Sequence, residues 1–230
     1  MQSPAECAVV IPCMDEADAI FPLVESVRRQ VAHVIVVDDG STDATAALAA
    51  KAGAEVLRHD TMRGKGAALN TGLRHAATRG FAWALTMDGD GQHAPDDIPA
   101  FLSEARHGNA DLVVGNRMSN AARMPWLRRR ANEWMSRRLS SVAGVLLPDS
   151  QCGFRLVRLS AWSGLSIRAA HFEVESETLL AFIAAGFSVK FIPVQTIYKS
   201  ERSKIHPVRD TVRWFRWWSQ ARRKMVRRKA

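Results

Sequence analysis

The sequence predicts an α/β fold: a mainly parallel sheet covered by helices on both faces, followed by a basic amphipathic C-terminal helix. Three observations carry this expectation. Short apolar runs alternate with helix-spaced patterns in the first half of the chain, acidic and polar residues gather where those runs end, and positive charge is concentrated past residue 201. Residues 8–11, 33–37, 54–57, 82–87 and 111–114 read as buried strands. Between them, residues 16–30, 44–52, 67–78 and 96–106 place apolar side chains at helical spacing with little Gly or Pro inside. A β-α-β-α order requires right-handed crossovers, and therefore a parallel sheet buried on both faces. Past about residue 118 the rhythm changes. Residues 125–147 predict a basic amphipathic helix entered at Pro125 and stopped near Pro148. Residues 154–157 predict a strand, 172–185 a helix ending at Gly186, and 188–192 a last core strand. The predicted organisation is one domain over residues 1–202 and a basic, aromatic tail over 203–230.

A chain of 230 residues that is 47% apolar can bury one full core. No apolar run approaches the roughly 20 residues of a membrane span, and the first residues carry neither a basic nor an apolar signal region, so a cytoplasmic location is expected. Cys7, Cys13 and Cys152 are odd in number and unpaired in spacing, which predicts reduced thiols and neither a disulfide frame nor a zinc site. The net charge of +9 is unevenly spread. Residues 202–230 hold eleven Lys/Arg against one acid, whereas residues 1–201 hold 21 bases and 22 acids.

Ligands on such sheets gather at the carboxyl ends of strands, and the three acidic strand exits are residues 12–16, 38–43 and 88–92. The third, Asp88-Gly89-Asp90-Gly91-Gln92, delivers two carboxylates and an amide into a glycine-lined turn. Hard oxygen donors in that arrangement suit Mg²⁺ or Mn²⁺, which keep a few waters and complete their shell with substrate phosphates. By itself the segment is equally a turn sequence, since Gly and Asp both tolerate left-handed backbone. His93 reads as a structural turn residue before a ligand. At the second exit, Asp38 and Asp39 can accept from a base N–H and ribose hydroxyls, while Ser41 or Thr42 caps the next helix. Arg63-Gly64-Lys65-Gly66 precedes a helix, so its backbone and the Lys65 ammonium can oppose phosphate charge. It lacks the P-loop spacing, and no G-x-G-x-x-G follows the first strand, which argues against nicotinamide and flavin enzymes.

These motifs, in this order, resemble the family 2 glycosyltransferases of the GT-A (Rossmann-like) fold. The resemblance runs from Val10-Ile11-Pro12 with Glu16, through the two acidic exits and Arg63-Gly64-Lys65-Gly66, to Val114-Gly115-Asn116-Arg117 and Gln151-Cys152-Gly153-Phe154-Arg155. It covers about residues 8–200 and is most similar to the branch of polyprenyl- and dolichol-phosphate sugar transferases. The resemblance implies an inverting enzyme with a UDP- or GDP-linked sugar donor. It places Pro12, Glu16, Asp38, Asp39 and Asp43 around the nucleoside, and Lys65 near the donor. Asp88, Asp90 and Gln92 would hold Mg²⁺ or Mn²⁺. Arg202 stands in a basic segment that closes on the donor. Asp15 replaces the Asn usual before Glu16. Arg117, Arg128 and Arg155 are implied at the acceptor phosphate, and Asn132 stands where a hydroxyl residue is usual. A phosphate acceptor needs no base. A hydroxyl acceptor does, and Glu173, Glu175 and Glu177 are the candidates, with the family position favouring Glu177. Any of the three is also compatible with a solvated helix face.

In the tail, residues 208, 212, 215, 218, 225 and 226 share a broad apolar side at helical spacing, with Arg209, Arg213, Arg216, Arg223, Lys224 and Arg227 across from it. Aromatics beside many arginines suit an anionic membrane interface, which predicts peripheral attachment to the cytoplasmic membrane and a lipid-borne acceptor. Packing of the aromatic face on the domain is the plain alternative, and nucleic acid a third. Two other functions stay open on sequence grounds: a sugar-phosphate nucleotidyltransferase, and a non-enzymatic membrane or nucleic-acid binding module.

Overall fold

The computed structural model describes residues 7–108, 110–197 and 207–229. Seven strands form one sheet: β1 (Cys7–Cys13), β2 (His33–Asp38), β3 (Glu55–Arg58), β4 (Trp83–Thr86), β5 (Leu112–Asn116), β6 (Arg155–Arg158) and β7 (Val189–Pro193). They are ordered β3-β2-β1-β4-β6-β5-β7. All pairings are parallel except those of β6, which runs antiparallel to both β4 and β5. Every residue of β1 is buried, as expected of a central strand covered on both faces.

The covering helices are α1 (Ala17–Arg28), α2 (Thr45–Lys51), α3 (Lys65–Thr78), α4 (Ile98–His107), α5 (Trp126–Ala143), α6 (Leu159–Ser163) and α7 (Val174–Ala184). A 3₁₀ segment, Arg117–Arg123, follows β5. The predicted elements are all present. Two of their details differ. The helix expected over residues 125–147 ends at Ala143, because Gly144 takes a left-handed φ of 77° and terminates it. The antiparallel direction of β6 is the second, and it matters for the site: the chain enters β6 at the same sheet edge where β4 and β5 exit. Thr86 and Val114 both stand opposite Arg155, so residues 149–154 lie against the strand exits.

The tail forms α8 (Pro207–Lys229). Its buried side is not the one the spacing predicts. Trp214, Trp217, Trp218 and Ala221 pack against Leu139, Leu147 and Leu180 of the body, while Val212 and Phe215 remain exposed. Trp214 stacks on Trp218 and donates its indole N–H to Ser176 Oγ at 3.1 Å, which fixes the helix rotation. The expected boundary near residue 203 lies outside the described residues. No described helix is long and apolar enough to cross a membrane. Cys7, Cys13 and Cys152 are all free and buried.

Candidate active site

The strand order reverses between β1 and β4, and the acidic exits meet there. Cys13 closes β1 in register with Asp38, and its carbonyl accepts from Asp39 N at 2.8 Å. On the other side Gly89 sits so close that an added Cβ would fall 2.8 Å from Cys13 Cβ. The first and second exits are stitched by backbone donors and side-chain acceptors. Asp15 N donates to Ser41 Oγ (2.9 Å), Glu16 N to Thr45 Oγ1 (2.7 Å), Ala17 N to Asp43 Oδ2 (3.1 Å) and Thr42 N to Asp15 Oδ1 (2.8 Å). Asp15 holds a left-handed φ of 50°, a conformation Asp and Asn tolerate better than other side chains, so Asp serves here in place of Asn.

Asp88 lies at the centre. Its Oδ1 is 2.6 Å from Lys65 Nζ, and its backbone N–H donates to His93 Nδ1 at 3.1 Å. That bond makes Nδ1 an acceptor and puts the imidazole proton on Nε2. His93 is buried and stacked on Phe154 with ring centroids 5.0 Å apart, and burial, opposed by Asp88, holds its pKa below the ordinary value. It is a structural turn residue. Burial raises the Asp88 carboxyl, but Lys65 outweighs it and holds the group well below the usual range. Burial and the charge of Asp88 together push Asp90 above it. Lys65 Nζ is also 2.6 Å from Glu175 Oε1. Burial disfavours its ammonium, yet Asp88 and Glu175 raise its pKa above the ordinary value. Glu175 Oε2 is buried with no hydrogen-bond partner among the described residues.

A second polar cluster stands beside the first. Asp149, wholly buried, receives Arg117 N (3.0 Å), Nε (2.8 Å) and Nη2 (2.9 Å), and Asn132 Nδ2 at 2.9 Å. Arg117 Nη1 has no hydrogen-bond partner among the described residues. Arg128, from the first turn of α5, points its Nη1 at Gln92 Oε1, 3.4 Å away.

The family model described as "Glycosyl transferase family 2" matches residues 8–163, which span all of these strand exits. The chain belongs to glycosyl transferase family 2. Among its relatives, a UDP-N-acetylglucosamine–dolichyl-phosphate N-acetylglucosaminyltransferase of Methanococcus voltae is 30% identical over 213 residues, covering 83% of this chain and 85% of its own. A polyprenol monophosphomannose synthase of Mycolicibacterium smegmatis is 28% identical, covering 81% and 75%. The fold matches glucosyl-3-phosphoglycerate synthase from Mycobacterium tuberculosis, solved with Mn²⁺, uridine diphosphate and phosphoglyceric acid. That likeness has a TM-score of 0.74 at 19% identity and covers 96% of this chain and 78% of that one. The protein is thus a glycosyltransferase with the GT-A fold. The nucleotidyltransferase and non-enzymatic readings are set aside.

This glycosyltransferase brings Asp88, Asp90, Gln92, Lys65, Arg117 and Arg128 to one place, with Pro12 buried in β1 beside Gly89. Several of the expected site residues have partners within the protein. Asp38 is fully buried, accepts from Ser41 N at 3.0 Å and faces Arg58 Nε at 3.2 Å, so it caps its own turn. Asp43 accepts from Thr45 N (2.9 Å), Thr45 Oγ1 and Ala17 N, and shapes the loop. Asp39 accepts from His59 Nδ1 (2.7 Å), Arg63 N (2.9 Å) and Gly64 N (2.7 Å), anchoring the Lys65 loop to the second exit. Arg155 is buried, and its guanidinium donates to the carbonyls of Cys152 (2.7 Å), Glu175 (2.7 Å) and Ser150 (3.0 Å). It braces residues 150–154 from inside the core, where its side chain is buried. Glu177 Oε2 receives Arg168 N (2.8 Å) and Ala169 N (2.6 Å), which ties the side chain to the backbone of residues 168–169. The first amides of α3 are also occupied: Gly66 N and Ala67 N donate to Ala170 O at 2.8 and 3.2 Å, so Lys65 brings an ammonium without a free helix terminus. Arg202 lies outside the described residues.

Sequence reasoning missed Asp149 altogether, named Glu175 only as a candidate base and Gly153 only as part of the 151–155 motif. Glu175 was one of three acids on a helix, and nothing in its spacing marks it as the partner of Lys65. Asp149 is 32 residues from Arg117, too far for any periodicity to pair them. Gly153 is required by closeness alone, since a Cβ there would lie 2.7 Å from Asp88 Oδ1 and 3.0 Å from Lys65 Nζ.

Proposed function

We propose that this glycosyltransferase moves a sugar, with inversion, from a UDP- or GDP-linked donor to a polyprenyl phosphate or another membrane-borne acceptor, using Mg²⁺ or Mn²⁺. The observation that carries this reading is the meeting of Asp88, Asp90 and Lys65 at the point where the strand order reverses, with the Asp39 loop joined to them through Cys13 and Gly64. The names of the dolichyl-phosphate and polyprenol relatives support a lipid-phosphate acceptor.

The residues present fit a hard divalent ion. Asp88, Asp90 and Gln92 are half-buried oxygen donors, and the Asp90 carboxyl is raised by burial and then by the neighbouring Asp88 charge, which a bound cation would offset. Among the described residues no group of three His, Cys, Asp or Glu side chains is placed to hold a metal ion by itself, so the two carboxylates and the amide would share the shell with waters and a diphosphate. When bound, the ion would supply Lewis-acid stabilisation of the leaving nucleoside diphosphate. Lys65 sets a fixed positive charge beside the same oxygens, and Glu175 keeps it there. Pro12, Asp15, Glu16 and Asp39 would frame the nucleoside end, on loops tied together by the Asp15–Ser41, Asp15–Thr42 and Glu16–Thr45 hydrogen bonds. Arg117 Nη1 and Arg128 gather the acceptor phosphate. One of its oxygens attacks the anomeric carbon as the bond to the diphosphate oxygen breaks on the opposite face. A phosphate acceptor is already anionic, so no carboxylate has to take a proton. The enzyme would work as a peripheral protein of the cytoplasmic membrane.

Calorimetry with UDP and GDP ligands in the presence of Mn²⁺ tests the donor site. Binding to at least one is expected, and Asp90→Ala should abolish the metal-dependent part and turnover without changing the unfolding transition. Wild-type turnover by Asp90→Ala would overturn the metal assignment.

A further inference from the structure

We propose that the outer face of α5, continued across the exposed edge of α8, docks on an anionic lipid bilayer and presents the lipid acceptor to the site at the N-terminal end of α5. The inference rests on the membrane-borne acceptor proposed above and adds where the membrane sits. The body side of α5 is defined by buried Asn132, Ser136 and Leu139. The opposite arc carries Trp126, 74% exposed, Leu127, 66% exposed, and Trp134. At about 100° per residue these three fall within about 100° of arc. Trp134 then meets α8, with its ring 5.3 Å from Phe215, and Phe215 and Val212 extend the exposed apolar surface onto the second helix. The apolar material left outside is thus contiguous across two helices, although Trp214 and its neighbours already cover the inner side of α8. Monomeric soluble proteins rarely leave such a patch uncovered.

Charge decides the occupant. Together α5 and α8 contain fourteen Lys/Arg and two acids, and one of those acids, Glu133, is paired with Arg129 at 2.9 Å. Arg130, Arg137 and Arg138 share the exposed arc of α5, and Arg138 lies over the Trp134 ring at 5.3 Å. Arginines among protruding Trp, Leu and Phe match anionic headgroups above acyl chains. The surface also adjoins the chemistry. Leu127 is followed by Arg128, which turns inward to Gln92, so adjacent residues carry a protruding apolar group and a cation at the site. A lipid phosphate held at Arg128 would leave its hydrocarbon beside Trp126 and Leu127.

The test is co-sedimentation of the full chain with phosphatidylcholine vesicles that contain or lack phosphatidylglycerol. The wild type should bind the anionic vesicles, and Trp126→Glu/Leu127→Glu should lower partitioning by about tenfold or more. Val212→Glu/Phe215→Glu should do the same from the other helix. Both variants should keep Mn²⁺-dependent nucleoside diphosphate binding, which reports an intact fold and donor site. The KM for a long-chain polyprenyl phosphate in vesicles should rise in Trp126→Glu/Leu127→Glu, with that for a short water-soluble prenyl phosphate unchanged. Undiminished vesicle binding by both double variants would overturn the proposal. So would a wild-type dimer that both variants abolish while vesicle binding persists, since the face would then belong to a second copy of the chain. Vesicle binding by a wild type that binds no nucleoside diphosphate would sink the donor reading and leave the docking surface standing.

Discussion

Asp149 and Arg117 illustrate how much of the site rests on single buried charges. Burial pushes the Asp149 carboxyl up, but the Arg117 guanidinium and its hydrogen bonds outweigh it and hold the pKa below the usual range. A carboxyl whose folded pKa is depressed contributes stability that is present above its unfolded value, about 3.9, and is lost as pH falls through the folded value. Asp149→Asn leaves Arg117 buried without its counter-ion and should cost about 3–5 kcal/mol, which for a chain of this size lowers Tm by roughly 10 °C. Urea titrations should show the deficit constant from about pH 7 to 5 and narrowing only below about pH 4. A deficit under about 0.5 kcal/mol, the size of an ordinary surface substitution, would mean the pair is not formed. At this scale the sequence named Arg117 but not the carboxylate that orients it. It also named Arg155 and Glu177, which a motif cannot distinguish from ligands, because whether a side chain turns to the cleft or to nearby backbone is set by packing.

The elements position the site through their directions. Parallel β1, β2 and β4 all end at one edge of the sheet, and that is why three acidic exits far apart in sequence become neighbours. Their short, continuous apolar runs made those strands readable in advance. Direction was not readable for β6, since a four-residue strand, Arg-Leu-Val-Arg, has the same pattern either way. Running antiparallel, it brings Gly153 against Asp88. Gly153→Ala should therefore remove Mn²⁺-dependent nucleotide binding while changing stability by no more than about 1 kcal/mol, since the added methyl displaces a carboxylate and an ammonium but no core side chain. Calorimetry beside chemical unfolding separates the two effects. Unchanged nucleotide binding would show that the Asp88 carboxylate has room to spare.

For the whole molecule, α8 is the part whose meaning changes most between sequence and structure. Composition marks it as a separable basic tail. The packing of Trp214, Trp217 and Trp218 on Leu139, Leu147 and Leu180 makes it part of the body. Deleting residues 207–230 should cost at least about 3 kcal/mol, the scale of removing one buried Trp, and should expose those leucines to association. A lowered urea midpoint and increased light scattering are the expected readouts. A truncated chain as stable as the full one would show that α8 is held only loosely.

By itself, the sequence determined the alternation of strands and helices, the family, and the acids, lysine and arginines from which the site is made, because periodicity and local motifs are carried by neighbours along the chain. Only the tertiary structure decided which of those charged groups face the cleft, that Glu175 and Asp149 hold Lys65 and Arg117, and which side of α8 is left exposed. Those outcomes depend on contacts between residues tens of positions apart, where burial makes a charge seek whatever partner the fold brings within reach.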